Sequence, residues 1–436
     1  MRQHRITAAA LSAVFMGLGQ IYNRQFVKGS AFIAFYAFAV YFTVTNWHHA
    51  IWGITTLGET QQKLVLVGKI YKPIKGDHSI FLMIEGLIML FIFALFAYLF
   101  VMNVIDAYRG GKLREEGKTL NNIKQTLRFI PDKKFAHLII TIPLIFVFFF
   151  SVLPIIFSVM IAFTNYNNTH EPPGKLVDWQ GFRAFKELFS LSQWAHTFFG
   201  VFTWTMTWAV LSTFTTFFGG FAVALLVQQK GIRFKSLFRA IYMVPFAIPA
   251  FLSLLIMRNL FNAQFGPINS TLLKFGIVGP EWLSDPFWAK ATIVIVNLWL
   301  GFPLSMLLII GILTTIPRDL YEASEVDGAS ALYKFRKITF PSVMFSLSPI
   351  LIGQFAGNIN NFNVIFLLSG GGPTNSEYQF AGHTDILITW LYSLSITNGR
   401  YNFAAVISIF LFIIIAIFAL FSFRRTRSFR EDDLLR

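Results

Sequence analysis

Eight separate stretches of this chain are each long and apolar enough to cross a lipid bilayer, and nothing else constrains its fold as tightly. They lie near 31–53, 80–105, 137–163, 197–227, 240–262, 289–314, 343–369 and 401–423. About 20 apolar residues suffice to cross roughly 30 Å of hydrocarbon. Backbone N–H and C=O groups at that depth must bond to one another, which leaves helices or a closed barrel. Stretches of this length predict an all-α integral membrane protein with about eight transmembrane helices. Composition agrees: of 436 residues 55% are hydrophobic and only 13% charged, with a mean hydropathy of +0.60, well outside the range of a soluble globular domain.

The chain carries a formal charge of +15. In a membrane protein, basic loops are explained by orientation and anionic membrane lipid, so no nucleic-acid partner is expected. Of the 36 lysines and arginines, twenty-five fall in segments 1–30, 106–136, 228–239, 315–342 and 424–436, against nine in the alternate connections. The positive-inside rule then places both termini and the 315–342 loop in the cytoplasm. The absence of cysteine excludes disulfides, thiolate nucleophiles and Cys-ligated metals.

The chain reads as three regions. Residues 1–136 hold two accessory spans and a basic linker from Asp106 to Ala136, divided by Gly110-Gly111 and Pro131. Residues 137–424 hold a six-span core, and 425–436 form a cytoplasmic tail. Near the start, Arg2, His4 and Arg5 precede a modestly apolar run from Ile6 to Tyr22 that imitates a signal peptide without a small-x-small cleavage site. Gly17, Gly19 and Gln20 make it a poor span. An interfacial or re-entrant helix is favoured, with a full crossing as the alternative.

Between the sixth and seventh stretches lies a short polar segment near 317–341. Pro317, Arg318 and Asp319 can start a helix, Glu322, Glu325 and Asp327 load it with acid, and Gly328 can end it. So short a helix is marginal in water and calls for a partner's groove.

Glu322-Ala323-Ser324, then Asp327-Gly328-Ala329, then Ile338 to Pro341 resembles the E-A-A, D-G-A, I-x-L-P pattern of ABC importer permeases that depend on a binding protein. Ser324 and Phe340 depart from it but keep size or apolarity. Ile161–Tyr166, Trp299–Pro303, Asn360-Asn361-Phe362, Gly371-Gly372-Pro373 and Ala381–Asp385 are similar to the larger membrane subunit of maltose/maltodextrin importers, and the resemblance covers about 137–436. It implies a second homologous permease, a cytoplasmic ATPase dimer that holds ATP and Mg, and an external sugar-binding protein. Relatives from double-membraned bacteria carry a large insert after the third span, whereas Thr164–His196 here is about thirty residues. That departure implies a single-membrane bacterium, with a lipid-anchored binding protein outside its plasma membrane.

The resemblance also assigns roles. Glu322, Ala323, Asp327, Gly328, Ile338 and Pro341 would couple the permease to the ATPase. Leu300, Gly301, Asn358 and Asn361 would line the pathway of a maltodextrin-like sugar. On spacing alone, Gln354, Asn358 and Asn361 share one helical face, and amides at membrane depth either glue helices together or face a wet cavity. Pro245 and Pro249 should kink the fifth stretch, as a hinge or as a fixed bend. Arg258 can snorkel outward. Lys334, Arg336 and Lys337 suit orientation and lipid head groups, and the Gly370–Pro373 turn suits a flexible external loop that guides sugar.

No G-x-x-x-x-G-K-[ST] phosphate loop occurs, so ATP hydrolysis is expected on a partner and no resident cofactor is implied. Residues such as His48-His49 lack metal spacing, and no catalytic or metal-binding set is expected. The function expected is that of a permease subunit of an ATP-driven sugar importer with alternating access. An ion-coupled secondary sugar carrier is the alternative, and it would want ionisable residues near the midplane.

Overall fold

A computed structural model describes residues 4–67, 69–118, 135–229 and 231–425. Most of the basic linker and the tail from 426 onward lie outside the described residues. The chain divides into two compact units, Met1–Phe182 and Arg183–Arg436.

In the first unit, α1 (His4–Val14) and α2 (Leu18–Tyr22) form a helical hairpin before α3 (Phe26–Thr56). Eleven residues at 1.5 Å each reach about 16 Å, half the hydrocarbon thickness, so α1 alone cannot cross. Gly17 reverses the chain at φ 96°, a conformation that excludes most side chains. The buried Gln20 amide donates to the Asn103 carbonyl (3.1 Å) and to Asp106 Oδ2 (3.0 Å), and Lys28 Nζ pairs with Asp106 Oδ1 at 2.7 Å. Those partners lie on α4 (Ser79–Glu115). Buried polar groups bonded in this way hold the hairpin against α4.

The connection from α3 to α4 departs from the all-helical expectation. Strands β1 (Lys63–Val67) and β2 (Ile70–Ile74) pair antiparallel. The signal was present: two runs rich in Val, Leu and Ile are separated by Gly68-Lys69.

The third stretch is α5 (Phe135–Val147), a π-turn over Phe148–Val152, and α6 (Leu153–Ile161). Pro154 comes two residues after the π-turn, and the same arrangement recurs where a π-turn over Phe335–Thr339 precedes Pro341. A proline supplies no N–H and its ring crowds the carbonyl four residues back. One widened turn accommodates both demands without breaking the helix.

The second unit runs α7 (Arg183–Ser190), α8 (Ser192–Gln228), α9 (Lys235–Ala247), α10 (Ala250–Leu260), α11 (Pro267–Lys274) and α12 (Pro286–Thr315). Then come α13 (Arg318–Val326), α14 (Ala331–Lys334), α15 (Phe340–Ile359), α16 (Phe362–Leu368), α17 (Leu387–Tyr392) and α18 (Tyr401–Arg425).

Among the described residues seven helices are long and apolar enough to cross a membrane, and the pair α9–α10 is an eighth candidate, bent by 88°. Of the two prolines expected to kink it, Pro245 stays within α9 and the break falls at Ile248–Pro249. Steric conflict with a following proline drives a residue out of the helical region, and Ile248 is extended at φ −89°, ψ 133°.

The stretch predicted over 343–369 is also interrupted. Its helix runs Ala331–Ile359 through the π-turn, stops at Asn360 and restarts as α16.

Two buried clusters organise this unit. One gathers Trp204, Trp208, Leu254, Ile293, Val296, Ile365 and Ile386. The other gathers Phe217, Phe221, Met306, Ile309, Val343 and Leu347. Helices α8 and α12 contribute to both and approach closely, because Gly220 lies where a Cβ would meet Ser305 Cβ at 2.5 Å and the Met306 nitrogen at 2.7 Å. Close backbone approach at small residues is how helices pack where no hydrophobic effect separates them from lipid.

Candidate functional site

The polar segment forms the helix its residues predict. Pro317 caps α13, Asp319 sits in the first turn and Asp327 is the C-cap. Gly328 comes next at φ 74°, and the Ala329 N–H returns to the Ser324 carbonyl at 2.9 Å, the left-handed glycine closure of a helix end. Glu322, Ala323, Asp327 and Gly328 are all exposed. The same surface exposes Leu320, Val326, Leu332 and Tyr333, with Val326 88% accessible. Acid beside apolar side chains on one projecting element is a surface built for contact.

Two side-chain contacts fix this element to the helical stem that leads into α15. Tyr321 and Thr339 hydroxyls lie 2.9 Å apart, and Lys334 Nζ donates to Glu325 Oε1 at 2.8 Å. Lys334 therefore ties the projecting helix to its stem, a local role the sequence did not single out. Ile338, half-buried, lies in the π-turn and Pro341, exposed, in the first turn of α15. Phe335 and Phe340 on either side reach α8, with rings 5.4 and 6.2 Å from Phe221. The stem is thereby packed into the second core cluster. From there α15 continues as a rod of 20 residues, about 30 Å at 1.5 Å per residue.

At the far part of α15 the amides meet α8. Gln354 Nε2 donates to Thr216 Oγ1 at 2.8 Å, and Asn358 Nδ2 to Thr213 Oγ1 at 3.0 Å. The Asn358 carbonyl accepts from Trp208 Nε1 at 3.0 Å. Gly301 of α12 faces the same threonine, for a Cβ there would stand 2.6 Å from Thr216 Cγ2. Three helices thus converge on Thr213 and Thr216, which the sequence reasoning missed; their i, i+3 spacing on α8 was the available signal.

Asn361 does not join this face. The helix breaks before it, and its side chain caps α16 through the Val364 N–H at 3.5 Å. A face of three amides by helical spacing requires an unbroken helix, and this one ends at Ile359. Leu300 is partly buried against the Trp204–Ile386 cluster.

The connection from Ser369 to Ile386 is pinned rather than free. Thr384 Oγ1 donates to the Gly372 carbonyl at 2.6 Å, Trp204 Nε1 to the Thr384 carbonyl at 3.1 Å, and the Gln379 N–H to Thr197 Oγ1 at 2.8 Å. Gly370 and Gly371 adopt φ 63° and 83° within this frame. Asp385, 7% exposed, accepts the Gly382 N–H at 2.7 Å. Burial pushes its carboxyl up from 3.8 to about 6, because a buried carboxylate loses hydration. Burial and the nearby Lys290 hold His383 below its ordinary value. The Lys290 ammonium itself sits 4.6 Å over the Trp204 ring, a cation–π contact. Arg258 is exposed in the last turn of α10, where it favours the helix dipole. Among the described residues no group of three or more His, Asp or Glu side chains is placed to hold a metal ion.

Known proteins share this architecture and sequence. A crystal structure of a bacterial alginate ABC transporter, in complex with an alginate pentasaccharide-bound periplasmic protein, has a chain that aligns with a TM-score of 0.55. The alignment covers 69% of this chain and 96% of that one at 20% identity, a likeness of fold. The galactooligosaccharides transport system permease protein GanP of Bacillus subtilis is 39% identical over 434 residues, 99% of this chain and 100% of the relative. The maltodextrin transport system permease protein MdxF of the same organism is 32% identical over 436 residues, 98% of this chain and 97% of the relative. Residues 217–428, which include α13, its stem and the amide face, match the family described as binding-protein-dependent transport system inner membrane component. This multi-pass membrane chain belongs to that family, as a permease subunit rather than an enzyme.

Proposed function

We propose that the chain is one of two membrane subunits that import an oligosaccharide of the maltodextrin or galactooligosaccharide class, powered by ATP bound with Mg on a separate cytoplasmic ATPase dimer. The observation that carries this reading is the capped, acidic, exposed helix α13, tied through Tyr321–Thr339 and Glu325–Lys334 to the α15 rod. A groove on each ATPase would take α13, with Glu322 and Asp327 toward basic side chains and Leu320 and Val326 toward apolar ones. Movement of the ATPases would then displace the rod, and the faces of α8, α12 and α15 with it. Because interfaces and packed cores switch between discrete arrangements, such a displacement can open the pathway to one side at a time. The lysine and arginine distribution supports a cytoplasmic α13 and cytoplasmic termini. A lipid-anchored binding protein would deliver sugar at the opposite face, near the pinned 369–386 loop.

Gly301, Asn358 and Leu300 stand on the wall of that pathway in this proposal. The amides of Gln354 and Asn358 hold α15 to α8 here, and their exchange from threonine to sugar hydroxyls would accompany opening. The ion-coupled alternative has nothing in the fold or the family that favours it.

The test is reconstitution of the chain with its candidate second permease, ATPase and binding protein in lipid. Glu322→Lys should abolish sugar-stimulated ATP hydrolysis and uptake while the complex still assembles. Uptake driven by an ion gradient with no ATPase present would overturn the proposal.

A further inference from the structure

The hairpin between α3 and α4 has no part in the transport reading, yet its chemistry is specific. Directly opposed residues of an antiparallel pair share a face. The register sets Lys63 against Ile74 and Val65 against Lys72 on one face, and Leu64 against Pro73 and Leu66 against Tyr71 on the other. The second face is therefore entirely apolar, and Leu64, Leu66 and Tyr71 are 68%, 55% and 66% exposed. Lys69 in the turn and Lys75 just past β2 flank it, Lys63 and Lys72 rise from the other face of the same thin ribbon, and residues 63–75 contain no acid. A two-stranded hairpin alone is marginal in water, and an uncovered apolar face of this kind marks a contact surface.

The neck of the hairpin is built and its level is marked. Asp77 accepts from the Thr60 hydroxyl (2.6 Å) and from the Glu59 and Thr60 N–H groups (both 2.9 Å), bonds that hold its carboxyl below the usual value. The Gln62 N–H donates to the Pro173 carbonyl at 3.0 Å. Two indoles bond at the same end of α3: Trp52 Nε1 donates to Glu59 Oε1 at 3.1 Å and Trp179 Nε1 to the Ile54 carbonyl at 2.9 Å. Tryptophans at the end of a span settle at the lipid head groups, so the neck fixes the hairpin where the membrane surface begins.

We infer that the β1–β2 hairpin is a membrane-surface anchor that lays Leu64, Leu66 and Tyr71 onto an anionic lipid surface, with Lys69 and Lys75 beside the phosphates and Lys63 and Lys72, on the outer face, still within about a Debye length of them. Charge complementarity selects that occupant: four cations with no acid beside an apolar face match anionic head groups over acyl chains. The unpaired strand edges keep the hairpin at the interface, because open backbone groups are not tolerated in hydrocarbon. The placement on the outer leaflet rests on the orientation proposed above.

The chain has no native cysteine, so Leu66→Cys carries a single environment-sensitive fluorophore. The full chain would be reconstituted in phosphatidylcholine vesicles with and without about 30% phosphatidylglycerol. Blue-shifted emission, quenched by spin-labelled lipid, is expected with the anionic lipid and should be lost in high salt. Each of the four lysines changed to Gln should weaken lipid contact about fivefold. Emission typical of water in both vesicles would overturn the inference. So would burial that ignores lipid charge and lysine number, or burial that arises only when a soluble acidic protein is added, which would assign the hairpin to protein docking. Labelling of Lys72→Cys in intact cells with an impermeant reagent tests orientation separately. Reaction only after the membrane is opened would overturn the outer placement while leaving the vesicle result to stand on its own.

Discussion

Gly301 separates packing from sugar contact, and Gly301→Ala is the perturbation. A Cβ there would lie 2.6 Å from Thr216 Cγ2 and 3.3 Å from Thr216 Cβ, whereas carbon atoms rest at about 3.5–4.0 Å. Relief requires α8 and α12 to part by about 1 Å, and such overpacking costs about 1–3 kcal/mol. Alanine recovers part of this, since it favours a helix over glycine by about 1 kcal/mol. Thr216→Ser removes the offending methyl and keeps the hydroxyl that accepts from Gln354 and donates to the Ser212 carbonyl, at a cost of about 0.8 kcal/mol for one buried carbon.

The double variant Gly301→Ala/Thr216→Ser should then be at least as stable as Thr216→Ser alone, with a coupling energy of about 1–3 kcal/mol in the cycle. Thermal midpoints of the detergent-solubilised chain would measure stability, and sugar uptake by the reconstituted transporter would measure function. Rescue of both assigns Gly301 to helix packing, whereas rescue of stability alone leaves it in contact with sugar. A Gly301→Ala chain more stable than the native one, or a double variant no better than Gly301→Ala, would refute the close approach itself.

Three further outcomes are expected. Gly328→Val should lose about 1–2 kcal/mol at φ 74°, visible as lost sugar-stimulated ATP hydrolysis, while Gly328→Asn keeps most of it because Asn tolerates that conformation. Tyr321→Phe removes the 2.9 Å bond to Thr339, worth about 1 kcal/mol. It should lower the sugar moved per ATP hydrolysed with little loss of assembly, and an unchanged ratio would count against transmission through that bond. For Asp385, a folded-state value raised from 3.8 to about 6 means that ionisation opposes the fold. The penalty is absent below about pH 4, grows through pH 4–6 and is complete above, at about 3 kcal/mol. Asp385→Asn should raise the thermal midpoint at pH 8 and leave it unchanged at pH 4, and the reverse pattern would contradict the burial of this carboxyl.

Much of the projecting acidic element was legible because its signals are local. Proline at the start, acid through the first turns and glycine at the end act within one or two helical turns, and α13 obeys them from Arg318 to the left-handed Gly328. The prolines of the fifth stretch were legible as a bend, but their equal claims hid that only the Ile248–Pro249 step breaks the helix. The amide face was half legible. Gln354 and Asn358 share a face as the period requires, but no local signal announced the stop at Asn360 that turns Asn361 into a cap.

By itself the sequence determined that the chain spans a membrane, about how often, which loops carry the basic excess and where the projecting acidic helix begins and ends. These depend on hydropathy summed over a span, on charge counted by loop, and on caps within a turn. Only the tertiary structure decided which partners the polar groups take. It gives Gln354 and Asn358 to Thr216 and Thr213, Lys334 to Glu325, Gly301 to the Thr216 methyl, and it folds residues 369–386 around a buried Asp385. The physical reason is that hydrophobicity and helix capping are properties of a segment. A hydrogen bond or a close approach between elements instead depends on groups as many as 182 residues apart, as for Gln379 and Thr197, which only packing brings together.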